Sequence, residues 1–97
     1  LKITVTEKAL QWFQNELVID AGQGVRFFGK VYGSTNVHEG FSVGLMIEMP
    51  EAPIYQEVIA GLLFFIEAAD EWFFQGYQIA VDYDETLAEP KYTFFTE

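Results

Sequence analysis

The 97 residues include no cysteine, only five basic residues and only three prolines. Without thiols there is no disulfide framework, no thiolate zinc site and no iron–sulfur cluster held by this chain's own sulfur. Lys2, Lys8, Arg26, Lys30 and Lys91 are scattered along the chain. Nucleic-acid backbones and anionic membrane surfaces require clustered lysine and arginine, so neither is expected as a partner. The longest nearly uninterrupted apolar stretch, Val58 to Ile66, is too short to span a bilayer. The first residues show no basic segment followed by an apolar run, so no signal peptide is expected and a cytoplasmic protein is. No nucleophile elbow, P-loop or dinucleotide fingerprint occurs, and the expectation is a non-enzymatic protein without a cofactor.

What is abundant is acid and aromatic surface. Fifteen acidic residues bring the formal net charge to -10, while 51% of residues are apolar and 18% aromatic. That apolar share excludes intrinsic disorder despite the charge. For a mass of 11.1 kDa, surface scaling predicts roughly 5,700 Å² exposed against roughly 16,000 Å² in the open chain. Burying about two thirds of the surface is enough for one domain over residues 1–97 and not for two.

Ile3-Thr4-Val5-Thr6 alternates apolar and polar residues and then meets Glu7. This pattern predicts a short strand feeding an N-cap, with an acid in the first helical turn to complement the dipole. Ala9, Leu10, Trp12, Phe13 and Leu17 then fall on one helical face, and Asp20-Ala21-Gly22-Gln23-Gly24 is expected to end the helix through positive-φ glycines. Strands are predicted over Val25 to Tyr32 and Phe41 to Met49, the latter with Phe41, Val43, Leu45, Ile47 and Met49 on one face. Pro50-Glu51-Ala52-Pro53 reads as a turn. Ile54 to Ile59 and Leu62 to Glu67 flank Ala60-Gly61, a two-residue hairpin. Ala68 to Phe74 reads as one or two helical turns, and Tyr77 to Tyr83 and Lys91 to Phe95 as strands. The fold class is therefore mostly β with α+β elements, a pseudobarrel of mixed short sheets with an N-terminal helix and a short second helix.

Four phenylalanine pairs, Phe27-Phe28, Phe64-Phe65, Phe73-Phe74 and Phe94-Phe95, place rings on both faces wherever they lie in strands. Two readings follow. Either both faces are covered, or one row of rings forms an aromatic surface for a protein partner or for self-association. Trp12 and Trp72 each sit in an apolar helical stripe and are expected in the core. Arg26, the only arginine, is expected to pair with a carboxylate or to cover a ring.

The segment from Gly29 to Gly40 holds the only histidine. Ser34, His38 and Glu39 supply the residue types of a hydrolytic triad without its sequence context. His38 and Glu39, joined by Asp82, Asp84, Glu85 or Glu89, would supply nitrogen and oxygen ligands for weak cation binding if the loops converge. A solvated acidic loop explains the same residues, and no calcium-loop spacing is present.

The order of segments resembles HesB-like domains, the A-type iron–sulfur carrier and scaffold proteins. The resemblance rests on Ile3-Thr4-Val5-Thr6-Glu7-Lys8-Ala9, Gly24-Val25-Arg26-Phe27 and Lys30-Val31-Tyr32-Gly33-Ser34. Further on it includes Phe64-Phe65-Ile66, Trp72-Phe73-Phe74-Gln75-Gly76-Tyr77, Ile79-Ala80-Val81-Asp82-Tyr83 and Lys91-Tyr92-Thr93-Phe94. It looks most like a short, acidic, cysteine-free branch of that family found in Gram-positive bacteria. Family carriers ligate iron through a loop cysteine, and Ser34 stands at that position here. A hydroxyl stays protonated near neutral pH and cannot replace a soft thiolate. The resemblance thus implies a HesB-like binding or regulatory module related to iron–sulfur cluster biogenesis but lacking its ligands. The alternative is a metal-binding protein using histidine and carboxylates.

Overall fold

A computed structural model describes residues 1–97. The chain runs β1 (Lys2–Val5), α1 (Glu7–Glu16), β2 (Gly24–Lys30), β3 (Ser42–Glu48), β4 (Pro53–Ile59), β5 (Leu62–Glu67), a 3-10 turn (Ala68–Asp70), α2 (Glu71–Phe74), β6 (Tyr77–Asp84) and β7 (Glu89–Thr96). The strands form two mixed sheets, ordered β1-β6-β7 and β3-β2-β5-β4. The parallel pairs are β1 with β6 and β2 with β5, and the other neighbours are antiparallel. The mostly β, two-helix class expected from the sequence is what forms, although the strands part into two sheets and do not close a barrel. No helix is long and apolar enough to cross a membrane.

Local chemistry sets the element ends. The Ala9 N–H donates to the Thr6 hydroxyl, so Thr6 caps α1 as its position before Glu7 predicts. The same hydroxyl donates to Asp82 Oδ1 at 3.0 Å, tying the helix start to β6. Helix α1 ends at Glu16, with Leu17 extended, well before the glycine turn expected to stop it. Gly22 takes φ +83°, but Gly24 has no positive φ and lies inside β2. Gly24 is there for space: a Cβ would stand 2.8 Å from the Leu63 carbonyl oxygen. The Ala60–Gly61 hairpin forms as predicted, with both residues at positive φ between the paired Ile59 and Leu62. Glu67 is buried because it accepts from the Glu51 and Ala52 N–H groups at 3.0 and 2.7 Å, closing the proline turn.

The core is aromatic. Phe27 and Phe64 stack at 5.9 Å, and Phe13 of α1 meets both edge-on. A second group repeats the arrangement, with Phe74 and Phe94 stacked at 5.9 Å and Phe73 edge-on to both. Tyr92 of β7 packs edge-on against Phe27 of β2, joining the sheets. The total accessible surface is 5719 Å², in line with the scaling expectation.

The doubled phenylalanines divide as strand alternation requires. Phe27, Phe64 and Phe94 enter the core, while Phe65 is fully buried outside the main cluster, Phe28 is half-buried and Phe95 is 54% exposed. Arg26 does both things expected of it. It pairs with Asp70 at 2.7 Å and Glu48 at 3.0 Å, and its guanidinium lies 5.8 Å from the Phe28 ring centre. Asp70 also accepts from the Gly29 N–H, fastening the turn before α2 to β2.

Gly29 packs flush against Phe73, where a Cβ would come within 2.7 Å of the ring's own Cγ. That atom is at the buried base of the side chain and cannot yield. Gly29→Ala is expected to destabilise the protein by about 1–3 kcal/mol, read as a lower urea midpoint at unchanged slope.

Candidate functional site

Gly33 and Gly40, at φ +73° and +83°, bracket a loop that departs from the end of the β2–β3 ladder. The Thr35 hydroxyl accepts from the Val37 and His38 N–H groups, and the Thr35 N–H donates to the His38 carbonyl at 2.7 Å. Asn36 then reaches β7. Its amide nitrogen donates to the Phe94 carbonyl at 2.8 Å, and its amide oxygen accepts from the Phe94 N–H at 2.9 Å. One side chain thus imitates a paired strand residue on the free edge of β7. His38 lies 2.9 Å from the Phe73 carbonyl through Nε2, and since a carbonyl only accepts, Nε2 carries the proton. The imidazole stacks on the Phe73 ring at 4.5 Å. The loop is held at two points, by the ends of β7 and α2.

The residues that the sequence offered for chemistry are distributed among separate local contacts. Ser34 is exposed and makes only a backbone bridge with Glu39, and no hydrogen bond joins it to His38. The Ser34, His38 and Glu39 residue types therefore form no triad. Asp82 accepts from the Tyr83 N–H at 2.8 Å and from Thr6, and these bonds hold its carboxyl below the usual carboxylate range. Asp84 accepts from the Thr86 and Leu87 N–H groups and shapes the turn before β7. No three histidine or carboxylate side chains converge anywhere. His38, Glu39, Asp82 and Asp84 are thus not assembled into a cluster of three ligands: His38, Asp82 and Asp84 make local hydrogen bonds and Glu39 is exposed. The Lys8–Glu85 ion pair borders two open, mainly polar depressions of about 320 and 390 Å³, with no enclosed cavity behind them.

What the docked loop does create is an apolar end. Val31 and Tyr32, expected to finish a strand, leave it after Lys30 and stand 81% and 75% exposed. Lys30 pairs with Ser42, so Phe41 lies at the same end of the ladder. Phe41 meets Trp72 edge-on at 5.3 Å. Trp72 is 54% exposed and not in the core, because the short α2 turns Phe73 and Phe74 inward and leaves its neighbour outside. Exposed rigid aromatic side chains are what protein interfaces use as anchors. Sequence reasoning missed Val31 and Tyr32 for want of a visible strand end, although Gly33 marked it. It missed Asn36 because nothing local signals a bond spanning 58 positions.

Removing the clamp tests its role. Asn36→Ala leaves both Phe94 backbone groups without a partner and is expected to cost about 1–3 kcal/mol. The Phe94 amide should exchange faster with deuterium, whereas the amides joining β2 to β5 should change only with global stability.

No protein-family model matches the chain. It is similar to the protein called pyruvate dehydrogenase inhibitor in Bacillus subtilis, with 35% identity over 94 residues that cover 97% of this chain and 99% of that protein. It is also similar to uncharacterized proteins of Staphylococcus haemolyticus, at 28% identity over 94% of the chain and 98% of the relative, and of Staphylococcus epidermidis, at 29% over 84% and 87%. The HesB-like resemblance, and with it the relation to iron–sulfur cluster biogenesis, is overturned by these findings. Ser34 accordingly is no displaced cluster ligand. The motifs that carried the resemblance are short strand and turn patterns. With near-complete coverage at this identity, the chain belongs to the family of the Bacillus subtilis pyruvate dehydrogenase inhibitor.

Proposed function

We propose that this chain is a non-catalytic protein inhibitor of pyruvate dehydrogenase that binds the enzyme through its exposed apolar end. The observation that carries the reading is the 35% identity, over 97% of the chain, to a relative named for that inhibition. A cytoplasmic location, with the bacterial enzyme, goes with this function.

The surface chemistry supports a protein ligand. Val31, Tyr32 and Trp72 present apolar area on a loop and a helix turn already ordered by Asn36 and His38. Little conformational entropy remains to be lost on binding, which is the main cost that preordering removes. A net charge of -10 steers the chain toward a basic surface and raises the association rate at low salt.

The test measures pyruvate-dependent NADH formation by purified Bacillus subtilis pyruvate dehydrogenase while this chain is titrated in. Saturable inhibition is expected. Tyr32→Ser and Trp72→Ser, both at exposed positions and so expected to fold, should each raise the half-inhibitory concentration about tenfold or more. Undiminished activity at saturating protein would overturn the reading, and full potency of both variants would move the contact elsewhere.

A further inference from the structure

Two open sheets have four free edges, and three of these carry features that hinder pairing with another strand. On β1, the Ile3 N–H donates to the Tyr55 hydroxyl at 3.1 Å. On β7, Asn36 occupies both backbone groups of Phe94, and Pro90, two steps of the same outward phase away, has no N–H to offer. Strand β4 begins at Pro53, is bulged between Pro53 and Tyr55, and carries Glu57. Covering groups, prolines, bulges and charges are the means by which sheet proteins prevent edge pairing.

Strand β3 has no covering group, proline or bulge. It keeps unbroken register with β2 over seven residues, contains no proline or lysine, and its single charge, Glu48, is tied to Arg26 at one end. Alternate residues turn N–H and C=O groups away from β2, and those groups make no hydrogen bond within the chain. The two sheets meet where Tyr55 bridges β4 to β1, but on the opposite side β3 and β7 stand apart. Between them runs an open groove of about 330 Å³, with Lys30, Val43 and Leu45 on one wall, Glu89, Pro90 and Tyr92 on the other, and Trp12 of α1 also lining it, so that charged residues stand beside apolar ones.

We infer that β3 takes up an extended segment of a partner protein as an added strand, its alternate apolar side chains entering the groove and its outward positions cationic. Backbone pairing supplies the affinity, and the groove selects the side chains at every second position. Charge decides against a second copy of this chain as occupant. Pairing β3 with itself would bring together two bodies of net charge -10, whereas a cationic segment is attracted to one. The inference rests on the reading that the chain works through a protein partner, but its test involves no pyruvate dehydrogenase, so the two can fail separately.

The probe is a peptide of alternating valine and lysine, compared with the same peptide N-methylated at every residue, which keeps the charge but loses all backbone donors. Site-resolved hydrogen exchange is followed on the full chain. With the first peptide, alternate amides within Ser42–Glu48 should slow by about tenfold or more, with no slowing along Pro53–Ile59 and none with the methylated peptide. The inference is overturned by any of four results: no binding, binding without slowing in β3, equal effects of both peptides, or a free protein already dimeric with its outward β3 amides protected.

Discussion

Edge-on contact between phenylalanine rings is the interaction on which the rest of this structure depends. The chain has no disulfide to limit its unfolded state, so burial must supply the stability. Two three-ring groups, Phe13 with Phe27 and Phe64, and Phe73 with Phe74 and Phe94, each combine a stacked pair with a third ring turned edge-on. Such pairs add about 0.5–1.5 kcal/mol each beyond the area they bury. The first group joins α1 to the four-stranded sheet and the second joins α2 to the three-stranded sheet. Tyr92 against Phe27 connects the two sheets. Burial accordingly pushes the Tyr92 hydroxyl well above its ordinary pKa, with Glu89 adding to the effect.

The ring groups also shape the surface. Because α2 is a single turn, turning Phe73 and Phe74 inward leaves Trp72 outside, where it meets Phe41. Phe73 in turn carries the His38 ring, and β7, held by Phe94, offers the backbone groups that Asn36 takes. The loop beside Tyr32 is thus ordered from the core outward, by groups that serve packing first. The two sheets are drawn together on one side, at Tyr55, and left apart on the other, where β3 keeps an unpaired edge. A surface built this way has rigid apolar features of the kind found at protein interfaces.

Much of the secondary structure was legible because its signals are local. Thr6 before Glu7, the period of Ala9 and Phe13, and the Ala60–Gly61 turn each depend on a few adjacent residues. Readings failed where the deciding contact lies far along the chain. Gly24 resembles a turn glycine, but its missing Cβ accommodates Leu63, 39 positions on. Trp72 has a core residue's spacing, yet a one-turn helix cannot bury three consecutive large rings. The acids Asp82 and Asp84 read as ligands in search of a site, but one oxygen of each shapes the local backbone or caps the helix start, accepting from Thr6 and Tyr83 or from turn amides. The family resemblance failed for a related reason: strand and turn motifs a few residues long recur wherever the same local geometry does.

Composition and periodicity alone settled that this is a β-rich, acidic, thiol-free chain with a capped N-terminal helix, since charge, valence and side-chain phase are properties of neighbouring residues. Which edges are covered, which rings meet and where the apolar end lies were decided only on folding. Those outcomes turn on contacts such as Asn36 with Phe94 and Ile3 with Tyr55, whose partners are 58 and 52 positions apart. At such separations no sequence pattern records the pairing, and only the geometry of the assembled sheets selects it.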